Sequence, residues 1–91
     1  MSMPNYRKKP IVIEAYQYLE SSFDRDAAPR FIQDALRADV IKLNGVGQYY
    51  IETPEGTLFV ADGDWIIQGV ECEIYPCKPS VFDATYDLVA E

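Results

Sequence analysis

The chain has 91 residues, 48% apolar, 25% charged and 13% aromatic, with a formal net charge of −7 and no histidine. That length supports one modest core, so a single folded domain over 1–91 is expected and multi-domain machinery is excluded. No apolar run reaches the roughly 18–20 residues of a membrane span, and the first ten residues lack a secretion signal's apolar stretch, so a cytoplasmic protein with both cysteines reduced is expected.

Residues 1–9 read as a terminal arm carrying Arg7, Lys8 and Lys9, and Pro10 leads into the first ordered element. Ile11, Ile13 and Ala15 alternate with Val12, Glu14 and Tyr16, the period of a strand. The polar stretch Glu20 to Asp26 connects to one main helix at about residues 27–38. There Phe31, Ile32, Ala35 and Leu36 recur at helical spacing, and Pro29 fits only the first turn.

After the helix the period falls to two. Val40 to Leu43 is a short strand and Asn44-Gly45 a turn. Gln48 to Thr53 pairs with Thr57 to Val60 across Pro54-Glu55-Gly56. Asp62-Gly63-Asp64 reverses the chain, and Trp65 to Val70 pairs with Glu73 to Tyr75. Ser80 and Asp83 have the spacing of a capping box for a short C-terminal helical turn through Ala84, and Thr85 to Val89 closes the sheet.

The elements add up to an α+β domain, a curved antiparallel sheet or partly open barrel with one main helix. Its expected core is Ile11, Ile13, Phe31, Leu36, Ile51, Phe59, Ile66 and Ile74, with Trp65 and Phe82 partly buried. Either Val40 to Leu43 or Thr85 to Val89 leaves a strand edge that could pair with a second copy, so a homodimer is one expected assembly.

Charge is polarised along the chain. Up to Lys42 seven Lys or Arg stand against six acids, whereas from Leu43 onward only Lys78 opposes nine. Binding a phosphate backbone needs clustered cations, so nucleic acid is not an expected partner. Asp62, Asp64, Glu71, Glu73, Asp83 and Asp87 either imitate a phosphate track for a basic partner or form a solvated face.

The absence of histidine removes Ser-His-Asp and Cys-His catalysis and histidine metal ligation. Two cysteines do not complete a four-thiolate zinc site, and Cys72 and Cys77 read as structural thiols. No phosphate-cradling glycine motif occurs. The remaining enzymatic candidates are the acid pairs Asp62/Asp64 and Glu71/Glu73, which also suit turn hydrogen bonding and solvated strand ends. No catalytic residue, metal ligand or cofactor is assigned. The basic cluster Arg7, Lys8 and Lys9 precedes Tyr16 and Tyr18, a combination that can hold a nucleotide's phosphates and base. Tyrosine and tryptophan equally anchor protein partners, which adds Asp64, Trp65 and Tyr75 to the binding candidates.

Tyr6-Arg7-Lys8-Lys9-Pro10-Ile11-Val12-Ile13-Glu14-Ala15 forms one familiar segment. Gly63-Asp64-Trp65-Ile66-Ile67-Gln68-Gly69-Val70, Tyr75-Pro76-Cys77-Lys78-Pro79 and Phe82-Asp83-Ala84-Thr85-Tyr86 form another. Together they resemble a widespread group of small phage and prophage proteins similar to the PGDYG-type domain. Only the Gly-Asp-aromatic part of that group's name motif stands here, as Gly63-Asp64-Trp65. The resemblance implies a phage context, a compact fold and a bacterial host cell, and carries over no activity or catalytic residue. The expected function is a non-enzymatic accessory protein that binds and inactivates a host component, a bacterial defence factor. One alternative is a sponge for a nucleotide-like immune signal. Another is a small enzyme using Asp64 with Glu71 or Glu73.

Overall fold

The computed structural model describes residues 4–6 and 11–89, so the candidates Arg7, Lys8 and Lys9 lie outside the described residues. Among the described residues eight elements follow in order: β1 (Glu14–Gln17), α1 (Arg30–Arg37), β2 (Ile41–Leu43), β3 (Tyr49–Thr53), β4 (Gly56–Phe59), β5 (Trp65–Gln68), β6 (Ile74–Cys77) and α2 (Pro79–Thr85). They form two three-stranded antiparallel sheets, ordered β1-β5-β6 and β2-β3-β4, that do not close into a barrel. The domain is α+β.

Local chemistry sets the boundaries. Pro29 caps α1 from outside with an extended backbone, so the helix begins at Arg30 rather than at 27. Its end is turned by Asp39 at φ 62°, while Val40 N–H returns to the Ala35 carbonyl at 2.9 Å. Asn44 Oδ1 accepts from the N–H groups of Val46 and Gln48, which folds the bend before β3. The β3–β4 hairpin pairs Thr53 with Gly56 across Pro54-Glu55.

The main core lies between the two sheets and under α1. Tyr18, Ala28, Phe31, Ile32, Ala35, Ile41, Ile51, Val60 and Ile66 are buried there, with Tyr16, Phe23, Leu36, Tyr49 and Ile74 packed against them. Phe23 meets the edges of Tyr18 and Tyr49, both at 5.3 Å between ring centroids. Residues opposite one another in an antiparallel pair share a face, so Tyr16, Ile66 and Pro76 form one row and Ala15, Ile67 and Tyr75 a row on the other side. Ile67 is fully buried yet stands apart from the main core. The first sheet is therefore covered on both faces.

Four expectations are corrected. Ile11 and Phe59 are not core residues, being 49% and 50% exposed. Phe59 pairs with Tyr50 while Leu58 pairs with the buried Ile51, and the one-residue offset turns Phe59 outward. Ser80 caps nothing, because Lys78 is the N-cap and Pro79 the first helical residue of α2, with no side-chain capping bond. Residues 85–89 form no strand: Thr85 ends α2 and Tyr86 to Val89 are irregular, leaving β2 as the expected strand edge that exists.

Ile51 is 1% exposed at the centre of the second sheet. Ile51→Ala is expected to cost about 2–5 kcal/mol in urea unfolding, whereas Ile11→Ala should cost under about 1 kcal/mol.

Candidate functional site

The turn between β4 and β5 holds Asp64, the most heavily bonded acid among the described residues. Asp64 N–H bonds the Ala61 carbonyl at 3.0 Å, closing a four-residue turn in which Gly63 supplies φ 89°. Gly63 N–H donates to the Tyr18 carbonyl and Tyr18 N–H to the Asp64 carbonyl, at 2.7 and 2.8 Å. Two residues thus oppose one, the geometry of a G1 bulge. The Asp64 carboxylate is 2% exposed as a residue and accepts from Ala61 N–H at 2.9 Å and from Lys78 Nζ at 3.2 Å. Asp62 points elsewhere, its Oδ1 taking Glu20 N–H at 2.8 Å. Each acid holds its own piece of backbone.

The second acid pair is likewise engaged locally, with Glu73 Oε2 accepting from Glu71 N–H at 3.1 Å in the β5–β6 loop. Asp64 precedes β5 and this loop follows it. A four-residue strand at about 3.3 Å per residue holds them roughly 13 Å apart, too far for shared proton transfer. Among the described residues no group of three or more potential metal ligands forms.

The tyrosine candidates are also divided. Tyr18 is buried in the main core, where desolvation first and the Glu20 carboxylate second push its hydroxyl pKa up, and Tyr16 packs beside it. Trp65 and Tyr75 belong to the opposite face of the first sheet, where α2 packs. Trp65 stacks on Phe82 at 4.0 Å with ring planes 5° apart, and Tyr75 and Tyr86 hydroxyls meet at 3.4 Å. Burial, then the Tyr86 hydrogen bond, raises the Tyr75 pKa to about 12.

A groove of about 630 Å³ opens on this second face. The chain leading into β1 contributes Ile11, Val12 and Ile13, and β1 itself contributes Ala15. Trp65 comes from β5, and Phe82 with Asp83 from α2. The irregular segment after α2 supplies Tyr86, Asp87, Leu88 and Val89. Val12 is 76% and Leu88 98% exposed, so the apolar lining continues onto an open rim. Of the candidates read from sequence that lie among the described residues, Trp65 alone lines it. Sequence reasoning missed the rest because Ile11, Ile13 and Ala15 look like a core face. The available signal was the four-residue spacing of Phe82 and Tyr86, which places two aromatics on one side of α2.

The thiols differ in setting. Cys72 is exposed in the β5–β6 loop at φ 63°, against the expectation of a buried structural thiol: the loop turns it to solvent. Burial and then the Asp64 carboxylate push the Cys77 thiol pKa up.

No family model, no curated protein and no solved structure matches this chain. The likeness to PGDYG-type phage proteins accordingly rests on the residues quoted for it.

Four outcomes are expected here. Asp64→Ala should cost about 1–3 kcal/mol through lost charge-assisted bonds. Lys78→Ala should cost under about 1 kcal/mol, because the lysine side chain is 64% exposed and screened by solvent. Iodoacetamide at mildly alkaline pH should label Cys72 well before Cys77, read by peptide mass spectrometry. The raised Tyr75 and Tyr18 pKa values mean that the folded state holds these protons more tightly than the unfolded chain. Their contribution is full below about pH 10 and is lost as pH rises toward 12, so Tyr75→Phe should flatten the alkaline fall in denaturation midpoint.

Proposed function

We propose that this protein is a non-enzymatic binding module whose contact surface is the groove between β1 and α2. The observation that carries this reading is an apolar concavity ringed by exposed aliphatic side chains, with stacked Trp65 and Phe82 in its lining. Solvent-facing apolar groups gathered around a concavity are the usual mark of a docking surface. The acid pairs support the same reading, since Asp62, Asp64 and Glu73 are each engaged in holding a backbone N–H.

In the context implied by the phage resemblance, the module is an accessory protein that occupies and inactivates a host component in the bacterial cell, a defence factor. The nucleotide sponge is less well supported. Tyr16 and Tyr18 serve the core, and among the described residues the groove offers a phosphate the acids Asp83 and Asp87. A protein partner fits the aromatic and aliphatic lining better.

Val12→Asp and Leu88→Asp change exposed positions and should leave thermal stability within about 0.5 kcal/mol of the parent. Both should abolish co-purification of the partner that the parent retains from host lysate. Retention of the same partner by both variants would place its contact surface elsewhere.

A further inference from the structure

We infer that the free edge of β4 pairs with β4 of a second copy of this chain, antiparallel about a twofold axis at Leu58, joining two three-stranded sheets into one. This goes beyond the groove reading and does not rest on it.

The domain has four sheet edges, β1 and β6 in the first sheet and β2 and β4 in the second. Unpaired edges invite association, and folded chains blunt them with a charge or a proline. β1 carries Glu14 and β2 carries Lys42. Before β6 the Gly69 N–H bonds the Glu73 carbonyl, so by alternation Tyr75 and Cys77 bond β5. Pro76 then faces the edge, where it has no N–H to offer. β4 reads Gly56-Thr57-Leu58-Phe59, without charge or proline, and all four residues are exposed.

The ladder with β3 fixes what β4 presents. Val60 N–H bonds the Tyr49 carbonyl, and the register continues with Leu58 opposite Ile51 and Gly56 opposite Thr53. Those residues turn their backbone toward β3, and Thr57 and Phe59 turn theirs to the edge. Among the described residues no backbone hydrogen bond is made there.

An antiparallel copy that bonds both residues sets Thr57 of each chain opposite Phe59 of the other. Leu58 then meets its own copy in a non-hydrogen-bonded pair, where side chains come closest. One operation thus covers both exposed apolar groups of the strand, Leu58 on one face and Phe59 on the other, where Phe59 already leans on Tyr50 at 6.0 Å between ring centroids. No like charges are opposed along the strand. The same operation at β2, where the Asn44 N–H bond to the Gln48 carbonyl leaves Ile41 and Leu43 facing the edge, would set Lys42 against Lys42. A second copy fits β4 because the strand is complementary to itself.

Four paired residues bury well under the about 1,600 Å² of a standard interface, so a weak dimer is expected, with Kd between about 10 μM and about 1 mM. Sedimentation equilibrium of the full chain reads it. Association should strengthen severalfold as sodium chloride rises from about 0.05 to about 0.5 M, because screening relieves repulsion between copies of net charge −7. The Thr57 and Phe59 amides should exchange more slowly as protein concentration rises, with those of β1 and β2 unchanged. Leu58→Lys and Leu58→Glu should each be monomeric, and their equimolar mixture should recover a dimer, since the axis sets the two charges against each other. Thr57→Glu with Phe59→Glu serves if the Leu58 variants fail to fold: it opposes acid to acid in both bonded pairs and should be monomeric.

A parent chain that stays monomeric at about 1 mM in high salt would overturn the inference. So would a dimer that persists in Leu58→Lys, or one that slows the β1 amides in place of Thr57 and Phe59. Folded Leu58→Lys and Leu58→Glu that stay monomeric when mixed would overturn the axis at Leu58.

Discussion

The corner at Ala61–Asp64 is the constraint on which the arrangement depends. Four separate parts of the chain meet there. The β4–β5 connection turns, Tyr18 is locked at the end of β1, Asp62 receives Glu20 N–H, and Lys78 reaches in from the start of α2. Gln17 adds a bond from Nε2 to the Gly63 carbonyl at 3.1 Å. Short-range backbone bonds to a buried carboxylate stabilise more than an ion pair whose lysine is mostly in water, so the corner is chiefly a backbone clamp. Lys78 adds only a solvent-screened charge at the corner, its side chain lying mostly in water.

This clamp decides which face of the first sheet meets the main core. Once Tyr18 is bonded across the bulge, Tyr16 and Ile66 must face α1 and the second sheet, while Ala15, Ile67 and Tyr75 face α2. The second face then needs its own cover. α2 provides it incompletely, with Phe82 over Trp65 and Tyr86 beside Tyr75. A seven-residue helix extends only about 10 Å, and it leaves the β1 side of the sheet open. The groove is the region that this short helix does not cover.

Much of the fold was legible in the sequence because it follows from period and turn chemistry. The apolar spacing from Phe31 to Leu36, the hairpin around Pro54-Glu55-Gly56 and the reversal at Gly63 each carry a local physical signal. What local signals do not contain is which side of a strand meets which layer. Ile11, Ile13 and Ala15 alternate as a core strand should, yet the Tyr16–Tyr18 row won the main core because the bulge and the aromatic cluster with Phe23 and Tyr49 fix it there. Phe59 and Leu58 differ by one residue and therefore by a whole face. The candidate site was less legible for the same reason: its lining comes from the two ends of the chain, joined only through tertiary packing. Trp65 was identifiable by residue type alone.

A free strand edge beside an apolar groove is a hazard for any folded chain, since the unpaired backbone invites association with a like edge. Glu14 on one face of β1, and Asp83 and Asp87 across the groove on the other, put charge of one sign around the edge and oppose pairing with a second acidic copy through Coulomb repulsion. Each exposed charge pair is worth at most about 1 kcal/mol, so the acids bias what happens at the edge without closing it. Three of the chain's fifteen acids thereby stand around one strip of backbone, which gives the charge counted over the whole sequence a local counterpart at the edge of β1.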